Sequence, residues 1–578
     1  RVQAIRPQNR PSPRTLLGHT SMVNSTLGSS MSRSILLLAL LAATTLTPFS
    51  IEAQATSRMT GPVHSPATYS GRSTVYAPND AVATSQPLAT TTALEILAAG
   101  GNAIDAAVAA AAVLNVTEPH MTGIGGDMFA ILWDANSRRL VGLDASGKSG
   151  SNVDVEALLA EEEPSVPGSG PRSVTVPGAL SGWNALIEKY GTMTLAEVLA
   201  PAIRIANEGF PVTPIIAQDW AGTVNGLRRD IGAAATFLID DEAPEAGDWF
   251  RNPDLARSFQ RISDGGAQAF YGGDLGREIV EGLSTLGGYL TLEDLQSHEP
   301  RWVEPLSVDY KDYRLWELPP AGQGIAALQM LKMLEGYDFS TIEHNSAEYL
   351  HTLIEAKKLA HADLSRYIAD PAHMDVRPSA LLDSNYLAER ATLIDPFTAA
   401  DRPDPGQLAT DSETIYLTVA DRHGNMISFI NSIFGYFGSR VVVPGTGIVL
   451  QNRGAGFTLE EGHPNQIAPN KSPLHTIIPA FVTKDGDPWL SYGVMGGSMQ
   501  PQGHVQVLLN IVEFGMDPQE AIDAARFRHF SGTRVAIENL DPEVGSALEA
   551  LGHQLRDPQG VAFGGGQAIL RLTRGWAA

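Results

Sequence analysis

The sequence predicts a mixed α/β fold around a large buried core, and three observations carry that prediction. The chain has 578 residues, of which 43% are hydrophobic and 18% charged, enough apolar material for a sizeable interior. Segments with apolar residues at helical spacing alternate with short apolar runs that fit buried strands. Deep inside the chain, two alternating runs separated by a turn form a hairpin pattern, and no fixed-period repeat occurs.

Taken in order, the apolar residues from Ala81 to Val116 recur at helical spacing and are interrupted at Ala99-Gly100-Gly101-Asn102. That pattern predicts a helix, a turn and a second, Ala-rich helix. Met128 to Trp133 reads as a buried strand, and Trp183–Tyr190, Leu195–Asn207 and Leu350–His361 read as helices bounded by Gly or Pro. The stretch Ile394 to Thr410, rich in Asp and Pro, is expected to be a mobile linker. After it, Thr414 to Asp421 alternates as a strand, Arg422-His423-Gly424-Asn425 makes a tight turn, and Met426 to Ser432 returns, so Thr414 opens a hairpin.

Thr414 carries a chemical option that its local pattern does not settle. If the chain cuts itself between Glu413 and Thr414, the new terminal residue holds both a hydroxyl nucleophile and a free amine to serve as its base. An ordinary edge-strand threonine has the same local signature.

Several classes of function are excluded by composition. The net charge is −24, with 64 acidic against 40 basic residues, so a nucleic-acid backbone is repelled. The absence of cysteine rules out disulfides, thiolate metal sites, cysteine nucleophiles and lipoprotein acylation. No GxSxG elbow and no HExxH motif occurs. Gly123-Ile124-Gly125-Gly126-Asp127 lacks the spacing and the following Lys-Ser or Lys-Thr of a phosphate loop, and close backbone packing is its expected role. His351, His361 and Asp363 share one predicted helix, but a spacing of ten between the histidines does not converge on one ion, so surface or capping roles are expected. Neither a metal nor a cofactor is expected.

Residues 1–55 are set apart from the fold. Arg33, the apolar stretch Ile35 to Ala43 and Ala53-Gln54-Ala55 have the layout of a secretory signal. Met31 reads as the start, Met22 is a second candidate, and the residues before them read as an upstream extension. The apolar stretch is too short and too interrupted by Thr and Pro for a comfortable bilayer span. The expected protein is exported, periplasmic or secreted, without stable membrane insertion.

The hairpin run Thr414 to Asp421, Pro469-Asn470-Lys471-Ser472-Pro473-Leu474 and Val494-Met495-Gly496-Gly497-Ser498 resemble the small subunit of γ-glutamyltranspeptidases. Gly100 to Ala107, Thr122 to Asp127, Val176-Pro177-Gly178-Ala179 and Glu355 to Ala360 resemble blocks of that family's large subunit, in its order. The resemblance spans roughly Ala81 to Leu572. It implies a four-layer αββα sandwich of the N-terminal nucleophile hydrolase type, built from two fragments of one precursor. Residues 56–413 would form the large subunit and 414–578 the small catalytic one, together a heterodimer, with any further pairing left open. It further implies that Thr414 attacks a small-molecule amide, that Gly496 and Gly497 supply the oxyanion N–H groups, and that Ser432 hydrogen-bonds the nucleophile.

Departures from the family pattern bear on the substrate. The arginine that grips the substrate's α-carboxylate is replaced by Ser146, and the other residues of the amino-acid clamp fall on Phe434, Gly456, His475 and Thr476. Lys148 can substitute as a point charge, and Arg453 stands where the family has a neutral residue and can bind a carboxylate. Lys148, Arg453, His475 and Thr476 are therefore the expected substrate-binding residues. The segment between Phe457 and Pro469 is shorter than lid-bearing versions, which implies an open cleft. The resemblance implies transfer or hydrolysis of γ-glutamyl-type acyl groups, as in glutathione. A glutaryl- or cephalosporin-type acylase is the alternative within enzymes, and an unprocessed, inactive binding protein is the alternative outside them.

Overall fold

Two antiparallel sheets pack face to face between two layers of helices. The computed structural model describes residues 72–401 and 413–578, all within the compact unit Met59–Ala578; the unit Arg1–Arg58 lies outside the described residues. The first sheet runs in the order Ala81–Ala83, Glu413–Ala420, Met426–Phe434, Asp127–Asp134, Arg139–Ala145, Arg301–Val303. The second contains, from its centre outward to one edge, Asp487–Val494, Ala480–Lys484, Tyr313–Glu317 and Leu306–Tyr310, with Gly566–Arg571 on the other side of Asp487–Val494.

Side-chain parity explains the layers. Along Glu413–Ala420, Ile415, Leu417 and Val419 join the core under the helices Pro87–Ala98 and Ala103–Thr117. Tyr416 and Ala420 point the other way and join Phe481 and Ile569 of the second sheet, as the two-residue period of a strand requires. The outer face of the second sheet presents Val482, Leu490 and Tyr492 to a core shared with residues of Gly324–Leu334, Ala347–Tyr367 and Met499–Val512. The predicted αββα arrangement is thus observed, with Thr414 on the strand parity that faces the second sheet.

The helix Ala103–Thr117 is buried along its whole length, which its small Ala side chains permit by letting neighbours approach from every side. Its N-terminus is tied to the hairpin by one carboxylate. Asp421 Oδ2 accepts from Ala103 N–H at 3.0 Å, and Oδ1 accepts from the N–H groups of His423 and Asn425 at 2.9 and 3.0 Å.

Three expectations are corrected. Ala81–Ala83 is a short strand pairing with Thr418–Ala420, so helix begins only at Pro87; edge pairing overrides the helical spacing there. His351, His361 and Asp363 do lie on one helix, but all are buried and not at its surface. Asp363 accepts from Gln329 and Tyr386 and pairs with Arg390 at 3.0 Å, while both His351 nitrogens are engaged, by His553 at 2.8 Å and the Asp395 carbonyl at 2.7 Å. Finally, of the proposed linker, 402–410 lie outside the described residues, but the part before them is docked: Ala399 N–H donates to Leu551 O at 2.7 Å and Lys358 Nζ to Ala400 O at 2.9 Å.

His351, Glu355 and His553 bring ligand-type atoms within 4.8 Å of one another. Glu355 is already paired with Lys358 at 2.7 Å, however, and an ammonium at that distance opposes a cation.

The close approach of the sheets depends on missing side chains. A Cβ on Gly493 would lie 2.5 Å from the Tyr416 ring, whereas one on Gly336 would meet nothing within 4 Å. Gly493→Val is expected to destabilise the protein by roughly 1–3 kcal/mol or more through overpacking, and Gly336→Ala to stay within about 0.5 kcal/mol of wild type. Denaturant midpoints measured side by side check both.

Candidate active site

A local irregularity sets the geometry at Thr414. Glu413 pairs with Phe434 and Ile415 with Asn431, so Ser432 and Ile433 together face Thr414. This is a bulge, which bends a strand and re-aims its side chains. Phe434, at the end of the bulged strand, has φ +78°. The Ser432 hydroxyl accepts from Thr414 Oγ1 at 3.3 Å and from Phe434 N–H at 2.8 Å, and Thr414 and Ser432 are both fully buried.

The glycine pair lies at the end of the strand that Tyr416 packs on. Gly496 and Gly497 have φ +108° and +57°, conformations open to glycine at little cost. Their carbonyls accept from Met499 and Gln500 N–H at 2.9 and 3.1 Å, which sets the pair at the start of the helix Met499–Val512. The positive end of that helix dipole favours negative charge at the glycine N–H groups. Gln323 Nε2 donates to both Gly497 O (2.8 Å) and Thr476 O (2.6 Å), locking the glycine turn to the segment that carries His475 and Thr476.

A buried carboxylate organises the opposite wall. Asp127 Oδ1 accepts from Gly147 N–H (3.0 Å), Gly178 N–H (3.3 Å) and Gln451 Nε2 (3.1 Å). Its Oδ2 faces His475 Nε2 at 3.1 Å and Arg453 Nε at 3.7 Å. Arg453 is fully buried, lies over the Phe434 ring with its guanidinium 4.6 Å from the centroid, and donates from Nη1 to Thr476 Oγ1 at 3.1 Å. Among the described residues Nε and Nη2 have no hydrogen-bond acceptor. Burial pulls the guanidinium down to about 10, opposed by Asp127, so Arg453 remains a cation at neutral pH.

The expected substrate-binding residues therefore separate. Arg453 and Thr476 sit together beside Phe434. His475 is buried with both ring nitrogens engaged, Nδ1 by Pro473 O at 2.7 Å and Nε2 by Asp127, which makes it a support for the Asp127 cluster and not a group facing substrate. Lys148 is exposed. Ser146 is turned onto Asp144, donating from its backbone N–H (3.0 Å) and Oγ (2.6 Å). At Gly456 a Cβ would lie 2.8 Å from Leu474 O, so the absence of a side chain there is built into the packing.

Sequence reasoning missed Asp127, Gln323 and Gln451 as parts of the site. Asp127 closes the glycine run, whose packing role is confirmed: Cβ atoms on Gly125 and Gly126 would come within 2.1 and 2.2 Å of the Val449 and Ser432 carbonyl oxygens. An acidic residue starting an otherwise apolar strand was the available signal. The two glutamines had none, because their partners are remote backbone and side-chain atoms.

Comparison with known proteins places the chain in a family. The model of the family described as gamma-glutamyltranspeptidase matches residues 89–578. The glutathione hydrolase-like YwrD proenzyme of Bacillus subtilis is 38% identical over 468 residues, 79% of this chain and 87% of the relative. The oxamate amidohydrolase proenzyme of Klebsiella pneumoniae is 36% identical over 446 residues, covering 76% and 83%. The crystal structure of a cephalosporin acylase from Bacillus halodurans superimposes with a TM-score of 0.83 at 42% identity, covering 89% of this chain and 96% of the acylase.

Removing Asp127 tests its organising role. Asp127→Ala leaves Arg453 and His475 without their carboxylate and is expected to cost roughly 3–5 kcal/mol, read as a lowered denaturant midpoint. An unchanged midpoint would show that the cluster is held by its other bonds.

Proposed function

The chain belongs to the γ-glutamyltranspeptidase family and is an enzyme of the N-terminal nucleophile hydrolase type, and we propose that it cleaves itself before Thr414 and then hydrolyses amides whose acyl part ends in a carboxylate. The freed α-amine of Thr414 takes the proton from its own hydroxyl as Oγ1 attacks the amide carbonyl. The N–H groups of Gly496 and Gly497 stabilise the oxyanion. The amine then returns the proton to the leaving nitrogen, and water, or an acceptor amine, releases the acyl group.

Residues 56–413 and 414–578 are proposed to stay together as a heterodimer after the cut. The strand that begins at Glu413 is interior to its sheet, flanked by Ala81–Ala83 and Met426–Phe434, and its pairing beyond Ile415 does not depend on the broken bond. The proenzyme names of the relatives support processing.

The observation that carries the substrate reading is Arg453: a fully buried cation with two guanidinium nitrogens lacking acceptors among the described residues. A carboxylate is the group that matches it in charge and geometry. Both γ-glutamyl and glutaryl groups bring one. With Phe434 and Gly456 in the clamp positions, little remains to hold an α-amino group, so the two donors are expected to be discriminated weakly and hydrolysis to outrun transfer. Glutathione and oxamate, in the names of two relatives, are both carboxylate-bearing amides, and a third similar protein is called an acylase. Enzyme relatives on every side leave the inactive-binding-protein reading without support.

Export is proposed from the signal-like layout of 33–55; the terminus of the large fragment isolated from cell fractions tests it. Among the described residues no helix is long and apolar enough to cross a membrane.

The small fragment should begin Thr-Ile-Tyr-Leu on N-terminal sequencing. Thr414→Ala is expected to remain one chain without turnover and Thr414→Ser to retain part of both; wild-type turnover by the alanine variant would place the nucleophile elsewhere. Arg453→Gln should lower kcat/KM for a glutaryl anilide by at least about 30-fold, the lower end of the roughly 2–5 kcal/mol for losing one partner of a buried charge pair, while a neutral butyryl anilide loses much less. Equal losses on both anilides would remove Arg453 from carboxylate recognition.

A further inference from the structure

The glycine turn is specified from outside itself. Gly496 and Gly497 have no side chains to lock their positive-φ backbone, and Ser498, the N-cap that follows them, makes no side-chain capping hydrogen bond. Gln323 holds the Gly497 carbonyl from one side. On the other side the Ser498 carbonyl accepts from Gln502 Nε2 at 3.1 Å, and this fully buried amide has no part in the acyl-transfer steps.

Gln502 is in turn held by a strand. Phe527–His529 lies at the edge of a three-stranded sheet, and a buried edge needs partners for its outward N–H and C=O groups. Two side-chain amides of one helix provide them. Gln502 Oε1 accepts from His529 N–H at 2.8 Å, and its Nε2 donates to His529 O at 3.4 Å. One turn further along, Gln506 Oε1 accepts from Phe527 N–H at 2.9 Å and its Nε2 donates to Phe527 O at 3.2 Å. The repeats match, because four helical residues advance about 6 Å and two strand residues about 6.6 Å. The helix Met499–Val512, which carries the glycine turn at its start, is thereby registered against the strand.

The end of that strand is fixed from across the proposed cut. His529 donates from Nε2 to Gly532 O at 2.9 Å, which leaves Nδ1 as an acceptor, and Lys357 Nζ donates to it at 2.9 Å. Both side chains are buried. Burial first, and the neighbouring Lys357 second, hold the imidazole well below the usual histidine range, so the accepting lone pair persists at neutral pH. Lys357 belongs to the helix Ala347–Tyr367, upstream of Thr414, whereas His529 and Gln502 lie downstream of it.

We propose that Lys357, His529 and Gln502 form a brace by which the large fragment fixes the oxyanion turn of the small one, so that these three are positioning residues for the chemical step. The proposal rests on Thr414 as nucleophile and on Gly496 and Gly497 as the oxyanion donors. None of the three needs to touch substrate. Lys357 sets the His529 ring, the strand end sets the Gln502 amide, and the amide sets the Ser498 carbonyl directly after the glycine pair. Oxyanion donors must be in place before charge develops, and a turn made of two glycines obtains that order only from its neighbours.

The test separates transition-state from ground-state effects in the full enzyme, with rates counted per cleaved chain. Gln502→Met, close in shape but without the amide, should lower kcat on a glutaryl anilide at least about tenfold while KM stays within about twofold, because misplaced oxyanion donors are felt in the transition state. Lys357→Met should lower kcat about threefold or more. His529→Asn keeps an acceptor near the Nδ1 position and should stay closer to wild type than His529→Leu. 3-Carboxypropylboronic acid reads the same turn at equilibrium: Thr414 Oγ1 bonds to its boron, the hydroxyl proton passes to the α-amine, and a tetrahedral anion results. Its inhibition constant should rise by a factor comparable to the loss in kcat, whereas glutarate should bind within about twofold of wild type. Hydrogen exchange of the 495–500 amides should quicken in Lys357→Met, a readout that needs no turnover.

Variants that lose thermal midpoint yet keep wild-type kcat, boronate affinity and exchange overturn the brace and leave these residues a structural role alone. Should Gln502→Met fail to fold, Lys357→Met and the two His529 variants decide by the same criteria. A wild type that neither turns over the anilide nor binds the boronate fails the Thr414 reading instead, and the exchange measurement then decides the brace by itself.

Discussion

The Asp127 carboxylate is the point at which the two parts of the chain are joined around the candidate site. It is wholly buried, a state that is costly for a carboxylate unless its oxygens are fully engaged. It meets that condition by accepting from backbone N–H groups at Gly147 and Gly178, both upstream of the proposed cut, and by facing Gln451, Arg453 and His475, all downstream of it. The orientation of Arg453, the burial of His475 and the course of the loop after Ala145 follow from satisfying that one charge. The ion pair with Arg453 is long, at 3.7 Å, and the guanidinium Nε and Nη2 have no hydrogen-bond acceptor among the described residues.

A steric constraint works alongside the electrostatic one. Backbone passes so close to backbone at Gly125, Gly126 and Gly147 that added Cβ atoms would fall within 2.1, 2.2 and 1.6 Å of carbonyl oxygens. These contacts press the start of strand Asp127–Asp134 against Ser432, on the strand paired with that of Thr414, and against Val449, four residues before Arg453. The glycines permit this close backbone approach. They allow the charged and nucleophilic residues to be brought together.

Where the γ-glutamyl enzymes carry residues that grip an amino-acid head group, this chain has a serine turned away onto Asp144, an aromatic wall, a glycine pressed against Leu474 O and a histidine committed to Asp127. In their place stands Arg453 over Phe434. On the proposed reading, one buried cation takes over from several directed hydrogen bonds, which would keep a match to a carboxylate while relaxing the demand on its surroundings.

Much of this was legible in the sequence, for identifiable reasons. The strand-turn-strand around Thr414, the two helices separated by Gly100-Gly101 and the strand after Asp127 were visible because local periodicity follows burial. The family blocks, and with them the glycine pair and Ser432, were visible because residue identity is locally written there. What the tertiary structure alone decided are relations between distant segments. The pairing of Ala81–Ala83 with Thr418–Ala420 made a strand of residues with helical spacing. The bulge opposite Thr414 comes from the register of two strands, and the burial of His351, His361 and Asp363 comes from packing on all sides of one helix. The contact of Lys357 with His529 belongs to the same class. Local sequence constrains a backbone's period and capping, whereas which charges face each other depends on contacts between residues hundreds of positions apart.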